Sequence, residues 1–496
     1  GLGDVYKRQI LYYCDFVFSR QRLSFFAFFI QYMFLWRNFM RIGGIVAEYN
    51  PFHNGHAYQI EKSKELGEWT HVVAVMSSNY VQRGETALIS KWARAEMAVK
   101  NGVDLVIELP TLWSTSFAQR FAYGGVSLLN SLGCVDMLSF GSECGNIDEL
   151  IECKNAINSE AVAERLKENL EYGLSFASAR SEALKAVCGN RFFDILEEPN
   201  NTLGIEYLQA MDKLGSNMIP MTIKRIGAAH DSLMRSDNFA SASDIRQMML
   251  SGSNEWEMYV PQSVADIYHR EEENNLAPCP NSKLEFGILC CMRQLSAEDI
   301  GLSPDVSEGI EYRIHDAALK ASSLEELYQL AKTKRYSHAR IRRIVFHAFM
   351  GFVADDYKGE PPYIHVLAMN DKGKEILREA KDKSSKPIVT KASDFDRLDD
   401  YGLHVFSLED MCTDVYSLAS PVILPCGREK TNGIIVLGDA PSEFDGEPTV
   451  AEEEKTSAEE ENTVVSADEQ PASDDNAEIT AEEQETEENK QDEAQE

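Results

Sequence analysis

At 496 residues the chain is long enough for two or three domains with real cores. Its formal charge of −33 argues against nucleic acid only at first sight: residues 441–496 hold 22 Asp and Glu against 2 Lys, leaving −13 for residues 1–440. A local basic patch remains compatible with RNA, whereas ten scattered cysteines without a CxxC pair exclude a disulfide framework and a zinc ribbon and fit reduced cytosolic thiols.

The first 39 residues stand apart. LSFFAFFIQYMFLW (23–36) is strongly apolar, but its 14 residues between Arg22 and Arg37 fall short of the roughly 18–20 a spanning helix needs. No small-residue cleavage site follows. DVYKRQ, near the start, is what a common transposon sequencing adapter encodes in frame. Residues 1–39 therefore read as a non-native leader, with Met40 as the natural start.

From Met40 the pattern alternates. Strands are expected at Ile42–Ala47, His71–Met76, Asp104–Leu109 and Val135–Phe140, and helices at Gly55–Leu66, Lys91–Asn101 and Phe117–Ser131. Near-continuous Val/Ile/Leu strands alternating with helices mean a parallel sheet covered on both faces, a Rossmann-like α/β domain. Residues 148–198 read as a helical excursion. The pattern resumes with a helix over Thr202–Leu214, a strand at Met218–Ile223 and a helix from Ser243, closing the domain near 252. Residues 253–353 are helical in period, and a small mixed segment follows at 363–380. The region 253–440 is expected to form a helical and mixed C-terminal part, and the Glu-, Ala- and Ser-rich stretch 441–496 is expected to be disordered.

EYNPFHNGH (48–56) follows the first strand and leads into a helix, the usual phosphate contact in a parallel sheet. Free N–H groups and the helix dipole favour an anion there, and Gly55 lets backbone approach a nucleotide. His53 and His56 can be metal ligands, phosphate donors or ordinary loop residues. A metal needs at least a third ligand nearby, and no Cys pair or HExxH-type motif accompanies them. As donors they would meet charge growing on phosphate oxygens as pyrophosphate leaves. In FASASDIRQMM (239–249), Ser241 or Ser243 is a helix cap, and Arg246 on the first turn can hold a phosphate with it.

HxGH with a downstream Ser-rich-x-Ile-Arg motif resembles the HxGH nucleotidyltransferase superfamily, which splits ATP between its α- and β-phosphates. GIVAEYNPFHNGH, VMSSNYVQRGETALISKWARAEMA, GVDLVIELP, FAYGGVSLLNSLGCVDMLSFGSE, PNNTLGIEYL, FASASDIR, EGIEYRI and KTKRYSHARIRRI together resemble the bacterial tRNA(Met) cytidine acetate ligase family over about 40–393. That resemblance implies a reaction. ATP and acetate form acetyl-adenylate and pyrophosphate, and the acetyl group then passes to the wobble cytidine of elongator tRNA(Met), giving N4-acetylcytidine. It implies catalytic roles for His53, His56 and Arg246. It also implies an ATP site of Val46, Ala47, Glu48, Tyr49, Asn50, Pro51, Phe52, Asn54, Gly55, Ala57, Tyr58 and Gln59, with Gly141, Asn200, Arg225, Ile226 and Ser243. Magnesium is expected with ATP, without a dedicated protein ligand set. Ser78 stands where a glycine is usual, and Ser243 where threonine is common.

Arg83, Lys91 and Arg94 are expected to form a cationic wall over phosphates or acetate, unless Lys91 and Arg94 merely line a solvated helix face. Lys332, Lys334, Arg335, Arg340, Arg342 and Arg343 crowd into twelve residues around Tyr336, a candidate tRNA patch in which Tyr336 stacks on a base. A cytoplasmic enzyme with neither a membrane nor a DNA partner is expected. Two other readings compete: an adenylyltransferase for a small phosphorylated cofactor precursor, and an ATP-binding RNA adaptor without chemistry.

Overall fold

The computed structural model describes residues 40–225 and 239–438, apart from Ser175, Glu308, Lys334 and the side chain of Ala177. The leader 1–39, Ile226 and everything from 439 onward lie outside the described residues. The chain divides into two units, 1–440 and 441–496, and all described elements belong to the first.

Strand β1 (Ile42–Ala47), helix α1 (Asn54–Gly67), β2 (His71–Ser77), α2 (Lys91–Lys100), β3 (Leu105–Leu109), α3 (Ala118–Ser131) and β4 (Met137–Ser142) follow one another, with boundaries close to those expected. Helices fill most of Ile147–Glu197, after which come α4 (Pro199–Leu214), β5 (Ile219–Lys224) and α5 (Ala242–Leu250). The five strands are parallel in the order β3-β2-β1-β4-β5. Alternate residues of each strand feed two cores. Ile42, Val46, Val73, Val75, Leu105 and Ile107 enter one with α3 and α4. Ile45, Val72, Ala74, Met76 and Val106 enter the other with α2 and α5. A sheet buried on both faces explains why its strands read as unbroken apolar runs.

Two glycines let the Trp69 ring and helix α3 close on β1. A Cβ on Gly43 would lie 2.0 Å from the Trp69 ring, and one on Gly125 of α3 would lie 2.6 Å from Val46 Cγ1. Strand order reverses between β1 and β4, which opens a crevice at their carboxyl ends.

The sheet does not stop at residue 252. After helices including α6 (His338–Met350), β6 (Ile364–Met369) joins β3 antiparallel, pairing Leu105 with Met369 and Val106 with Ala368. Helix α7 (Asp400–Tyr416) follows, and β7 (Ile435–Val436) closes the edge parallel to β6. The segment expected as a separate mixed piece therefore completes the first domain's sheet. An antiparallel edge on a mostly parallel sheet is common. Among the described residues no helix is long and apolar enough to cross a membrane.

Candidate active site

The cleft lies at that crevice. It is lined by His53 at the β1–α1 turn, Gly55, His56, Tyr58 and Gln59 from the first turns of α1, Gly141 from β4, Ile223, Lys224 and Arg225 from the end of β5, and Phe239 and Ala240 ahead of α5.

His53 is the N-cap of α1, and its Nδ1 accepts from the Gly55 N–H at 3.0 Å. His56 Nδ1 accepts from the His53 N–H at 3.2 Å, so the two imidazoles take the places that a serine and a glutamate hold in an ordinary capping box. The rings stack with centroids 3.7 Å apart. A ring nitrogen that accepts carries no proton, so each neutral imidazole bears its hydrogen on Nε2 and has one donor to offer. Burial, with Arg225 and Arg246 alongside, lowers the His53 pKa to about 3. Burial, His53 and Arg225 likewise hold His56 well below its ordinary value. Both are neutral donors at neutral pH.

Positive charge comes from arginines. Arg246 donates from Nη1 to the Asn50 carbonyl at 2.7 Å and from Nη2 to Ser243 Oγ at 3.2 Å, tying α5 to the histidine turn. Ser241 caps α5, its Oγ accepting from the Asp244 N–H at 3.1 Å. Arg225 is exposed at the mouth of the cleft and its N–H donates to the Ser142 carbonyl at 2.9 Å. Glu48, at the end of β1, accepts from the Gln82 N–H at 2.8 Å. Burial raises the Glu48 pKa against the pull of that hydrogen bond and of Arg246, Arg94 and Arg83.

The expected ATP residues fall into two groups. His53, Gly55, His56, Tyr58, Gln59, Gly141 and Arg225 line the cleft. Val46, Tyr49, Asn50, Pro51 and Phe52 are buried beneath the turn and shape it from below. Ala47, Glu48, Asn54 and Ala57 are half-buried, and Asn54 Nδ2 donates to the Met258 carbonyl at 3.2 Å. Asn200 is not among the cleft-lining residues; its Nδ2 donates to Glu143 Oε1 at 2.5 Å, and the Asn201 N–H donates to Glu143 Oε2 at 2.9 Å. The carboxylate thus caps α4. Ile223, Lys224, Phe239, Ala240, Glu143 and Asn201 carry no local sequence signal for such a site. Ile223 and Lys224 adjoin Arg225 at a strand's carboxyl end, a position that identifies them once the strand order is known.

Two expectations need correction. Lys91 and Arg94 form no cationic wall and no solvated face, since both are fully buried. Arg94 donates from Nε to the Ile89 carbonyl at 2.9 Å, from Nη1 to the Glu48 carbonyl at 2.6 Å and from Nη2 to the Ser78 carbonyl. Lys91 Nζ lies 2.5 Å from Glu108, 2.7 Å from Glu429 and 3.4 Å from Glu409. Glu108, Glu429 and His365 have metal-like spacing, but the Lys91 ammonium already bridges the two carboxylates. Arg83 alone of the three is exposed.

The run 332–343 is also less open than its composition suggests. Tyr336 is buried, which removes it from base stacking in this conformation. Arg340 donates to the Asp305 carbonyl at 3.0 Å, Arg343 pairs with Asp305 at 3.0 Å, and Arg342 pairs with Glu85 at 2.5 Å. Lys332 and Arg335 are exposed, and Lys334 lies outside the described residues.

A cleft at the switch point of a parallel sheet, with paired imidazoles and flanking arginines, defines a nucleotidyltransferase-type fold. The sequence model of the HIGH Nucleotidyl Transferase family matches residues 40–429. The chain is 43% identical over 387 residues to the tRNA(Met) cytidine acetate ligase of Thermoanaerobacter sp. (strain X514), covering 77% of this chain and 96% of that protein. It is 40% identical over 415 residues to the enzyme of that name from Clostridium kluyveri, covering 78% and 99%. The crystal structure of Thermotoga maritima TmcAL bound with alpha-thio ATP superposes with a TM-score of 0.75 at 32% identity, covering 80% of this chain and all 100% of that one. The apo form of that protein gives a TM-score of 0.77 at 33% identity over the same shares. The chain belongs to the tRNA(Met) cytidine acetate ligase family.

Proposed function

We propose that the protein is an ATP-dependent ligase that activates acetate as acetyl-adenylate and acetylates the wobble cytidine of elongator tRNA(Met). The observation that carries this reading is the pair of neutral, stacked imidazoles between Arg225 and Arg246 at the switch-point cleft. Acetate oxygen attacks the α-phosphorus, the bond to the β-phosphate oxygen breaks, and pyrophosphate leaves. Charge accumulates on phosphate oxygens, where fixed Nε2–H donors and guanidinium groups stabilise it without reorganising. The cytidine amine then attacks the acetyl carbon, AMP departs and the amine loses a proton, which leaves N4-acetylcytidine. Magnesium fits as a companion of ATP rather than of the protein. Glu48 and Glu143 accept hydrogen bonds from Gln82 and from Asn200 and Asn201, so phosphates and water would supply its ligands. With tRNA as the acceptor, the enzyme acts in the cytoplasm.

The test is ATP–pyrophosphate exchange with a panel of carboxylates, followed by transfer of radiolabelled acetate to elongator tRNA(Met). Acetate-dependent exchange and label on the tRNA are expected. Exchange only with a phosphorylated cofactor precursor would overturn the reading in favour of an adenylyltransferase, and no exchange at all would leave an adaptor.

A further inference from the structure

The loop between β2 and α2 contains a short hairpin, Tyr80–Val81 paired with Glu85–Thr86, whose tip carries Gln82 and Arg83. Ser78, Asn79 and Tyr80 at its base are fully buried, while Arg83 at the tip is exposed. The tip meets the turn that follows β1, beside the cleft: the Gln82 N–H donates to Glu48, and the Arg83 charge acts on both Glu48 and Arg246.

The base of the loop is bonded to one stripe of α7. Ser78 Oγ donates to Glu409 Oε1, Tyr80 Oη donates to the Cys412 carbonyl at 3.2 Å, and Asn79 Nδ2 donates to Thr413 Oγ1 at 3.2 Å. Tyr416 Oη donates to the Ala87 carbonyl at 3.0 Å. Positions 409, 412, 413 and 416 are spaced i, i+3, i+4 and i+7, a single helical face. Glu409 also accepts from the Thr111 N–H at 2.7 Å and from Thr111 Oγ1 at 3.1 Å.

We propose that Glu409 is a positioning residue for the nucleotide cleft: from α7, some 330 residues downstream of the loop, its carboxyl fixes the base of the 78–87 hairpin and thereby the stance of Arg83. This rests on the cleft being an ATP site.

The surroundings of Glu409 support the assignment. It faces Lys91 from α2, Glu108 from β3, Glu429 from the short helix Arg428–Thr431, Tyr80 from the loop, Tyr363 ahead of β6 and Cys412 on its own helix. Burial and the neighbouring Glu108 push its pKa up, against the pull of Lys91 and of the Ser78 hydroxyl. A primary amide keeps the shape of a carboxyl and one acceptor oxygen, on which the Ser78 and Thr111 hydroxyls can still bond. Glutamine is therefore a fair replacement, whereas alanine leaves Ser78 and Thr111 without their partner.

A double-mutant cycle with Arg83→Ala tests the proposal, read as the Kd for ATP by calorimetry at pH 7. Glu409→Ala is expected to weaken ATP binding about tenfold in the wild-type background and less than about twofold in the Arg83→Ala background. Glu409→Gln is expected to remain within about twofold of wild type. Where Glu409→Ala fails to fold, Tyr416→Phe removes one bond of the same stripe; about threefold weakening is expected, again vanishing with Arg83→Ala. Equal weakening in both backgrounds, unchanged ATP binding, or a Gln variant as weak as the Ala variant would overturn it. Acetate-dependent exchange by the wild type is measured separately, so failure of the ligase reading leaves the ATP-binding cycle readable.

Discussion

Phosphate usually meets cationic side chains, yet His53 and His56 are held neutral by burial, by mutual stacking and by the arginines beside them. Charge and direction are thereby divided: Arg225 and Arg246 supply charge, while the imidazoles supply donors fixed by their bonds to backbone. His53→Ala or His56→Ala should lower ATP–pyrophosphate exchange on the order of 100-fold, by analogy with losing one oxyanion donor. His53 is also a helix cap, so His53→Asn, which can still cap α1, should lose exchange as severely while melting near the wild-type temperature. Recovery of exchange in the Asn variant would mean that capping, not phosphate binding, is the role of His53. The same neutrality shapes acid stability. Burial lowers both His53 and His347 from 6.5 to about 3, with Arg225 and Arg343 adding to it. Between those values the unfolded chain binds protons that the folded chain does not, so stability falls as pH drops from about 6.5 towards 3. The melting temperature should decline from pH 7 to pH 4.5. His347→Gln, which lies outside the cleft, should show a shallower decline; an equal slope would remove His347 from the account.

At the scale of elements, the close approach of α3 to β1 brings the cleft's floor within reach of a stability measurement. A methyl on Gly125 would meet Val46 Cγ1 at 2.6 Å, and Gly125 is buried mid-helix, so neither side can yield easily. Gly125→Ala should destabilise by about 1–3 kcal/mol in urea unfolding and weaken ATP binding, because Val46 leads directly into the histidine turn. An unchanged midpoint would show that the helix can shift. This crowding was not visible in the chain, although the strands themselves were. Ile42–Ala47 and its parallel neighbours are buried on both faces and so read as unbroken apolar runs. YIHVLAM had the same look, but nothing local tells a strand of this sheet from a small separate piece. Its partner β3 lies more than 250 residues earlier, and only pairing across that distance assigns it. That His53 and His56 lie at the cleft and Arg246 on the capped helix bonded to their turn was legible because a strand–turn–helix and a helix cap are local patterns. Ile223, Lys224, Phe239 and Ala240 join them only through strand order, which local pattern does not encode. Lys91 and Arg94 misled for the converse reason: a cation in an amphipathic helix reads as solvated until its buried carboxylate or carbonyl partners are in view.

For the whole molecule, the proposed tRNA substrate raises the question of how a chain of negative total charge would hold RNA. The basic run 332–343 supplies less than its composition suggests, since Arg340 and Arg343 are spent on Asp305 and Arg342 on Glu85. Glu85 belongs to the hairpin that carries Arg83, so Arg342 joins α6 to that hairpin, and the backbone of 342–343 lies close against Gly84. Lys332 and Arg335 are exposed and remain candidates for tRNA phosphate. These two roles separate experimentally. Removing one cation from a phosphate should flatten the slope of log K against log salt by about 0.7–0.9. Lys332→Ala with Arg335→Ala should therefore weaken tRNA binding, reduce that slope by about 1.5, and leave acetate-dependent exchange intact. Arg342→Ala should do the reverse, raising the KM for ATP while leaving the salt slope of tRNA binding near that of wild type. A double variant with an unchanged slope would move the RNA surface away from this run. An Arg342 variant that flattened the slope would mean that its ion pair with Glu85 gives way when RNA is bound.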